Sequence, residues 1–227
     1  MSMNAQFRQV SPRALEILLG QPELIAAAVL WENAAPEDSA GPLAGLPANM
    51  RAIFGSLPPE AQKAAVAEHA RMIEQMRTQP LFAMMQGEQD EDAGKLRAAG
   101  IVDDDLPEAV DIGQTWHGLH FLLAGSADDT GPGAAQAVLG GRETENDDFG
   151  YGPVRVMTPE ETADVAAGLA ALTEDEFAAR HDADAMHAAE IYGAFDEVEW
   201  LLEAFRQLRD YYAAARERGY GMLLAIT

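Results

Sequence analysis

At 227 residues and 48% hydrophobic content the chain is long enough for one well-filled core and short for two full domains. It has no cysteine, which excludes disulfides, thiolate metal sites and a cysteine nucleophile and fits a reducing cytoplasm. Its formal charge of −23 repels phosphates and anionic headgroups, so nucleic acids and membrane surfaces are disfavoured partners, whereas basic proteins and cations are attracted.

Met3 to Val10 reads as a short strand, and Ser11-Pro12 opens a helix carrying Leu15, Leu18 and Leu19, with serine as cap and proline in the first turn. Met1 to Val10 has neither the basic start nor the apolar core of a signal peptide. The run Leu24 to Trp31 is too short to span a bilayer. Gly20-Gln21-Pro22 starts a second helix through Trp31, and Asn33 to Pro47, rich in Pro, Gly, Ala and Ser, reads as a loop. Leu57-Pro58-Pro59-Glu60 begins a long helix to about Arg77, followed by a methionine-rich turn, Leu81 to Met85. Gly87 to Glu108 holds 8 acids and 2 bases and is expected to be an exposed, partly ordered connector.

Trp116, Leu119, Phe121, Leu122 and Leu123 predict a short buried helix ended by Gly125, and Ala134 to Leu139 a second one. Val154 to Met157 reads as a strand. Thr158-Pro159-Glu160-Glu161 and Thr173-Glu174-Asp175-Glu176 match the capping box, in which threonine takes an amide proton and the later glutamate reaches back. From about Asp196 to Arg218, apolar residues at spacings of three and four form one stripe from Val198 to Tyr212, and Gly219 stops the helix. Along that helix Arg206 is expected to pair with Glu203 and Asp210. Met222 to Ile226 is a terminal strand expected to pair with Val154 to Met157 or with the first strand. The charge is uneven: residues 1–80 carry 8 acids and 6 bases, the remainder 30 acids and 9 bases.

The segment D-I-G-Q-T-W-H-G-L-H-F-L-L-A-G from Asp111 to Gly125, the A-V-L-G-G run ending at Gly141, G-Y-G-P-V-R-V-M-T-P-E-E from Gly150 to Glu161, A-E-I-Y from Ala189 to Tyr192 and the terminal helix plus strand together resemble the YfbM-like proteins, a bacterial family of unknown function. The family usually has proline after the tyrosine and a tryptophan shortly beyond, where this chain has Gly193 and Phe195. The resemblance implies an α+β fold: a helix-rich single domain over residues 1–227 with a small sheet flanked by helices. Within it, about 36–106 is expected to be a helical and acidic insertion that packs on the domain or serves as a self-association or partner surface. The resemblance implies no reaction.

Candidate chemistry centres on Trp116, His117 and His120. Two histidines three apart share a helix face, and with Asp111 they offer two nitrogens and one oxygen to a zinc-like ion, or a general base near neutral pH. The apolar residues around them fit buried histidines bonded to backbone equally well. Tyr151, Arg155 and Tyr192, near the Gly150–Gly152 turn, either line a cleft beside His117 or, equally, the tyrosines are core-edge residues with their hydroxyls at water. His181, Asp184, His187 and Glu190 recur every three residues, a weaker metal pattern. Asp103-Asp104-Asp105 and Asp147-Asp148 lack EF-hand spacing and read as solvated loops. Gly140-Gly141-Arg142 is not a P-loop, and no serine sits in a G-x-S-x-G elbow. No cofactor and no metal are expected. The sequence favours a cytoplasmic, non-enzymatic binding or interaction protein with an acidic surface, whose acids either simply keep it dispersed or serve a basic protein partner or self-association; the alternative is a small-molecule binder or enzyme using the Trp116, His117 and His120 pocket.

Overall fold

The computed structural model describes residues 3–31, 90–145, 149–193 and 197–227. The chain divides into two compact units, Met1–Trp31 with Lys95–Thr227, and Glu32–Gly94. Of the second, residues 90–94 are described and are helical. The loop, long helix and methionine-rich turn expected between Asn33 and Met85 lie outside the described residues.

The first unit is built on an antiparallel five-stranded sheet in the order β2-β1-β5-β4-β3. Its strands are β1 (Ala5–Val10), β2 (Val110–Asp111), β3 (Arg142–Glu143), β4 (Arg155–Met157) and β5 (Gly221–Ile226). The last strand occupies the centre and pairs with both predicted neighbours, setting Phe7 opposite Leu224 and Arg155 opposite Leu224 on its other side. Strand alternation then sends Phe7, Met157, Met222 and Leu224 to one face, where they join the main core. The helices over that face are α3 (Trp116–Ala124), α4 (Pro159–Ala171) and α7 (Val198–Arg218). The opposite face, with Val10, Val156 and Leu223, lies under α1 (Pro12–Gly20) and α2 (Ile25–Val29). The short helices α5 (Glu174–Ala178) and α6 (Ala183–Ala188) join α4 to α7.

Local chemistry sets the boundaries. Ser11 caps α1 by accepting from the Ala14 amide, and both capping boxes form, Thr158 with Glu161 on α4 and Thr173 with Glu176 on α5. Gly125 and Gly219 close α3 and α7 in the left-handed conformation that a residue without a Cβ adopts without strain. On α7, Leu201, Phe205, Leu208 and Tyr212 are buried, with Phe205 stacked on Phe177 at 4.5 Å. The Tyr212 hydroxyl donates to the Ala137 carbonyl at 3.0 Å, so its complete burial, which holds its pKa well above the ordinary tyrosine value, leaves no unpaired donor.

Four expectations require correction. Gly87 to Glu108 is exposed along much of its described part but more ordered than expected: residues 90–98 are helical, and Leu96, Ile101 and Leu106 are fully buried. The aspartate triple is not wholly solvated. Asp105 is buried, accepting from the Ser11 hydroxyl at 2.6 Å, Arg13 at 2.8 Å and the Val102 amide at 3.1 Å. Acidic composition hid these few apolar anchors. In place of an α-helix from Ala134, a 3-10 turn spans Gly133–Gln136. Arg206 does bond Glu203, but its shortest contact is to Glu174 at 2.7 Å, while Asp210 pairs with Arg209. The tertiary neighbour, one helix away, offers the guanidinium a two-nitrogen contact that a one-turn spacing does not. The two-residue strands β2 and β3 carry too few residues for any periodicity.

Candidate functional site

Helix α3 begins at Trp116 after a 3-10 turn, Gly113–Thr115, and presents Trp116, Leu119, Leu122 and Leu123 to the core. Its aromatic start is tied to two distant segments. The Trp116 indole donates to the Met3 carbonyl at 3.2 Å, the Tyr192 hydroxyl accepts from the Met3 amide at 3.1 Å, and the Tyr192 amide donates to His117 Nδ1 at 2.8 Å. Trp116 also stacks on His117 at 4.7 Å between centroids and on Tyr192 at 6.3 Å. Met3, Trp116, His117 and Tyr192 thus form one closed set of contacts.

Because His117 Nδ1 accepts, the neutral ring carries its proton on Nε2. Burial lowers the His117 pKa, opposed by the Ala127 carbonyl and the Asp128 carboxylate. His120, one turn on, has no exposed surface, and neither of its nitrogens has a hydrogen-bond partner. Burial pushes its pKa down to about 4, and neighbouring His117 and Arg155 act in the same direction. Asp128 and the Asp129 backbone pull the other way without completing a hydrogen bond. At neutral pH both imidazoles are therefore uncharged. His120, enclosed and neutral, has no route to an external substrate, and the acceptor nitrogen of His117 is already occupied.

The structure therefore brings together only part of the predicted set. Trp116, His117, His120 and Tyr192 are neighbours, and Arg155 is close enough to act on His120 while ion-paired with Glu143. Asp111 does not join them: it is exposed, and its carboxylate accepts from the Gly113 amide at 2.6 Å in a local turn. Tyr151 is also exposed, its amide bonded to the Ile226 carbonyl at 2.9 Å. The carboxylate acting on both histidines is that of Asp128, with the Asp129 backbone beside His120, and sequence reasoning missed both. Their signal was proximity to the end of the same helix, across Gly125. Among the described residues no group of three or more His, Asp or Glu side chains is arranged to hold a metal ion. In the His181 to Glu190 segment, His187 instead bonds the Ala183 carbonyl one turn back at 2.7 Å.

A separate groove of about 630 Å³ lies between α3, α4 and α5, lined by Leu123, Pro132, Ala135, Leu172 and Arg180 among others. Neither histidine lines it. Arg180 is held beside it by a 3.0 Å bond to the Leu122 carbonyl.

The family model for a domain of unknown function, DUF1877, matches residues 1–225. The chain belongs to the DUF1877 family. Its fold is similar to the crystal structure of YfbM from Escherichia coli, a protein of unknown function, with a TM-score of 0.51 over 99% of each chain at 15% identity. No curated protein matches the chain. The resemblance read from the tryptophan-histidine segment thus extends to the whole chain as family membership, and neither the family nor YfbM brings an activity. Among the described residues no helix is long and apolar enough to cross a membrane.

Proposed function

We propose that this protein is a cytoplasmic, non-enzymatic binding protein that engages a basic partner through its acidic surface. The observation that supports this reading is the excess of exposed carboxylates without an ion pair among the described residues. Several described arginines are committed within the fold: Arg8 is buried against the Val29 and Pro107 carbonyls, and Arg13 holds Asp105. Arg206 and Arg209 converge on Glu174, and Arg218 donates to the Gln9 side chain. Exposed carboxylates such as Glu160, Asp164, Asp175, Glu199 and Glu217 have no ion pair. Among the described residues exposed carboxylates thus outnumber exposed cations, in line with the 38 acids and 15 bases of the whole chain.

Such a surface steers a cationic partner and loses that pull as salt shortens the Debye length to about 8 Å near physiological ionic strength. The small-molecule or enzyme alternative has less support, because the Trp116, His117 and His120 side chains are committed to packing and to each other. Calorimetric titration of the full chain with a cationic peptide tests the reading. Saturable binding that weakens steeply with added salt is expected; no binding at low salt rejects it.

A further inference from the structure

Of the three tryptophans, Trp31 and Trp116 are buried, whereas Trp200 is 68% exposed in the first turn of α7. Its own helix explains why it is not packed: the inward stripe of α7 runs through Leu201, Ala204, Phe205 and Leu208, and Trp200 lies outside it. Burying an indole is worth more than burying almost any other side chain, so a tryptophan left at water is the strongest unpartnered apolar surface on the described chain. Its surroundings have one sign. Glu197 and Glu203 stand one turn to either side of it and Glu199 precedes it, all three exposed. Glu197 and Glu199 have no ion pair, and Glu203 holds Arg206 only at 3.4 Å, while Arg206 is bound more closely by Glu174.

We infer that Trp200, with Glu197, Glu199 and Glu203, is the docking surface for an arginine-rich segment of the basic partner; this rests on the binding reading above and assigns it a place. Charge complementarity selects the occupant. A guanidinium lies flat on an indole face, drawn by the ring quadrupole, and its in-plane N–H groups then reach adjacent carboxylates. The same contact recurs inside the protein, where Arg97 lies over the Trp31 ring at 4.9 Å and Arg209 over Phe205 at 5.5 Å. Carboxylates in the first turn of a helix also favour its positive end, which accounts for Glu199 but not for an exposed indole beside it.

Because the other two indoles are buried, intrinsic fluorescence accessible to an aqueous quencher reports Trp200. The full chain is titrated with octa-arginine, following both heat and fluorescence, and compared with Trp200→Ala and with Glu197→Gln/Glu199→Gln. The expected result is that octa-arginine shields Trp200 from acrylamide and binds roughly fivefold more weakly to Trp200→Ala, the equivalent of ~1 kcal/mol. The glutamine double variant should weaken binding while leaving the melting temperature unchanged. If the wild type binds octa-arginine but Trp200 stays fully quenchable and Trp200→Ala binds equally well, this surface is wrong and the wider reading stands. If the wild type does not bind at all, both fail. If Trp200 becomes shielded on raising the concentration of the protein alone, and Trp200→Ala abolishes that, the occupant is a second copy of the chain and the proposal is overturned.

Discussion

The Tyr192 amide donates to His117 Nδ1 at 2.8 Å across 75 positions of sequence, fixing the tautomer of a histidine that also stacks on Trp116. This bond joins the start of α3 to the segment that follows α6, and the Tyr192 hydroxyl extends the link to Met3 just before β1. His117→Ala should therefore destabilise the protein by about 1–3 kcal/mol, from an orphaned amide and a lost stacking partner. Denaturant unfolding of both proteins measures it. An unchanged midpoint would show that the contact contributes nothing.

His120 predicts a pH dependence whose sign is fixed by its environment. Its folded-state pKa is about 4, below the ordinary 6.5, so between those values the unfolded chain binds the extra proton. The contribution is fully present above 6.5, declines as pH falls, and levels off below about 4, a total of about 3 kcal/mol. His120→Leu removes both the titration and two unpaired buried nitrogens. It should be at least as stable as wild type at pH 7 and show a shallower loss from pH 6.5 to 4.5. Parallel curves for the two proteins would refute the assignment.

Gly168 packs α4 against the Gly133–Gln136 turn so closely that an added Cβ would fall on the Ala134 amide nitrogen. Gly168→Ala should cost about 1–3 kcal/mol by overpacking, against the ~1 kcal/mol that alanine gains over glycine inside a helix. Gly20, at the end of α1, has open space around the same position. Gly20→Ala should be neutral or mildly stabilising, and paired thermal melts distinguish the two outcomes; equal shifts would show that the close approach is not rigid.

Arg8 is buried in β1 and bonds the carbonyls of Val29, Trp31, Leu106 and Pro107, joining three segments at one guanidinium. Arg8→Met would leave several acceptors unpaired and should cost 3 kcal/mol or more, roughly; Arg8→Lys, without the planar fork, should restore little of it. Full rescue by lysine, read from the unfolding midpoint, would mean that charge alone matters there.

The local features of this fold were legible because each is decided within a few residues. Ser11-Pro12, the two threonine capping boxes, Gly125 and Gly219 mark helix ends by chemistry that needs no tertiary partner, and the α7 stripe follows from its spacing. The family was likewise readable from the ordered motifs between Asp111 and the terminal strand. Tertiary structure decided what those residues meet. Both predicted partners of β5 were right because a central strand has two edges, a choice periodicity leaves open. Asp111 and Arg206 were misassigned for different reasons: Asp111 is taken up locally by the Gly113 amide two residues on, whereas Arg206 meets Glu174, a partner that only the tertiary structure supplies. His120 shows the same division most clearly. Its presence on an apolar helix was plain in the sequence, but whether it opened to solvent or was sealed without a partner depended on strands and loops brought together from distant parts of the chain.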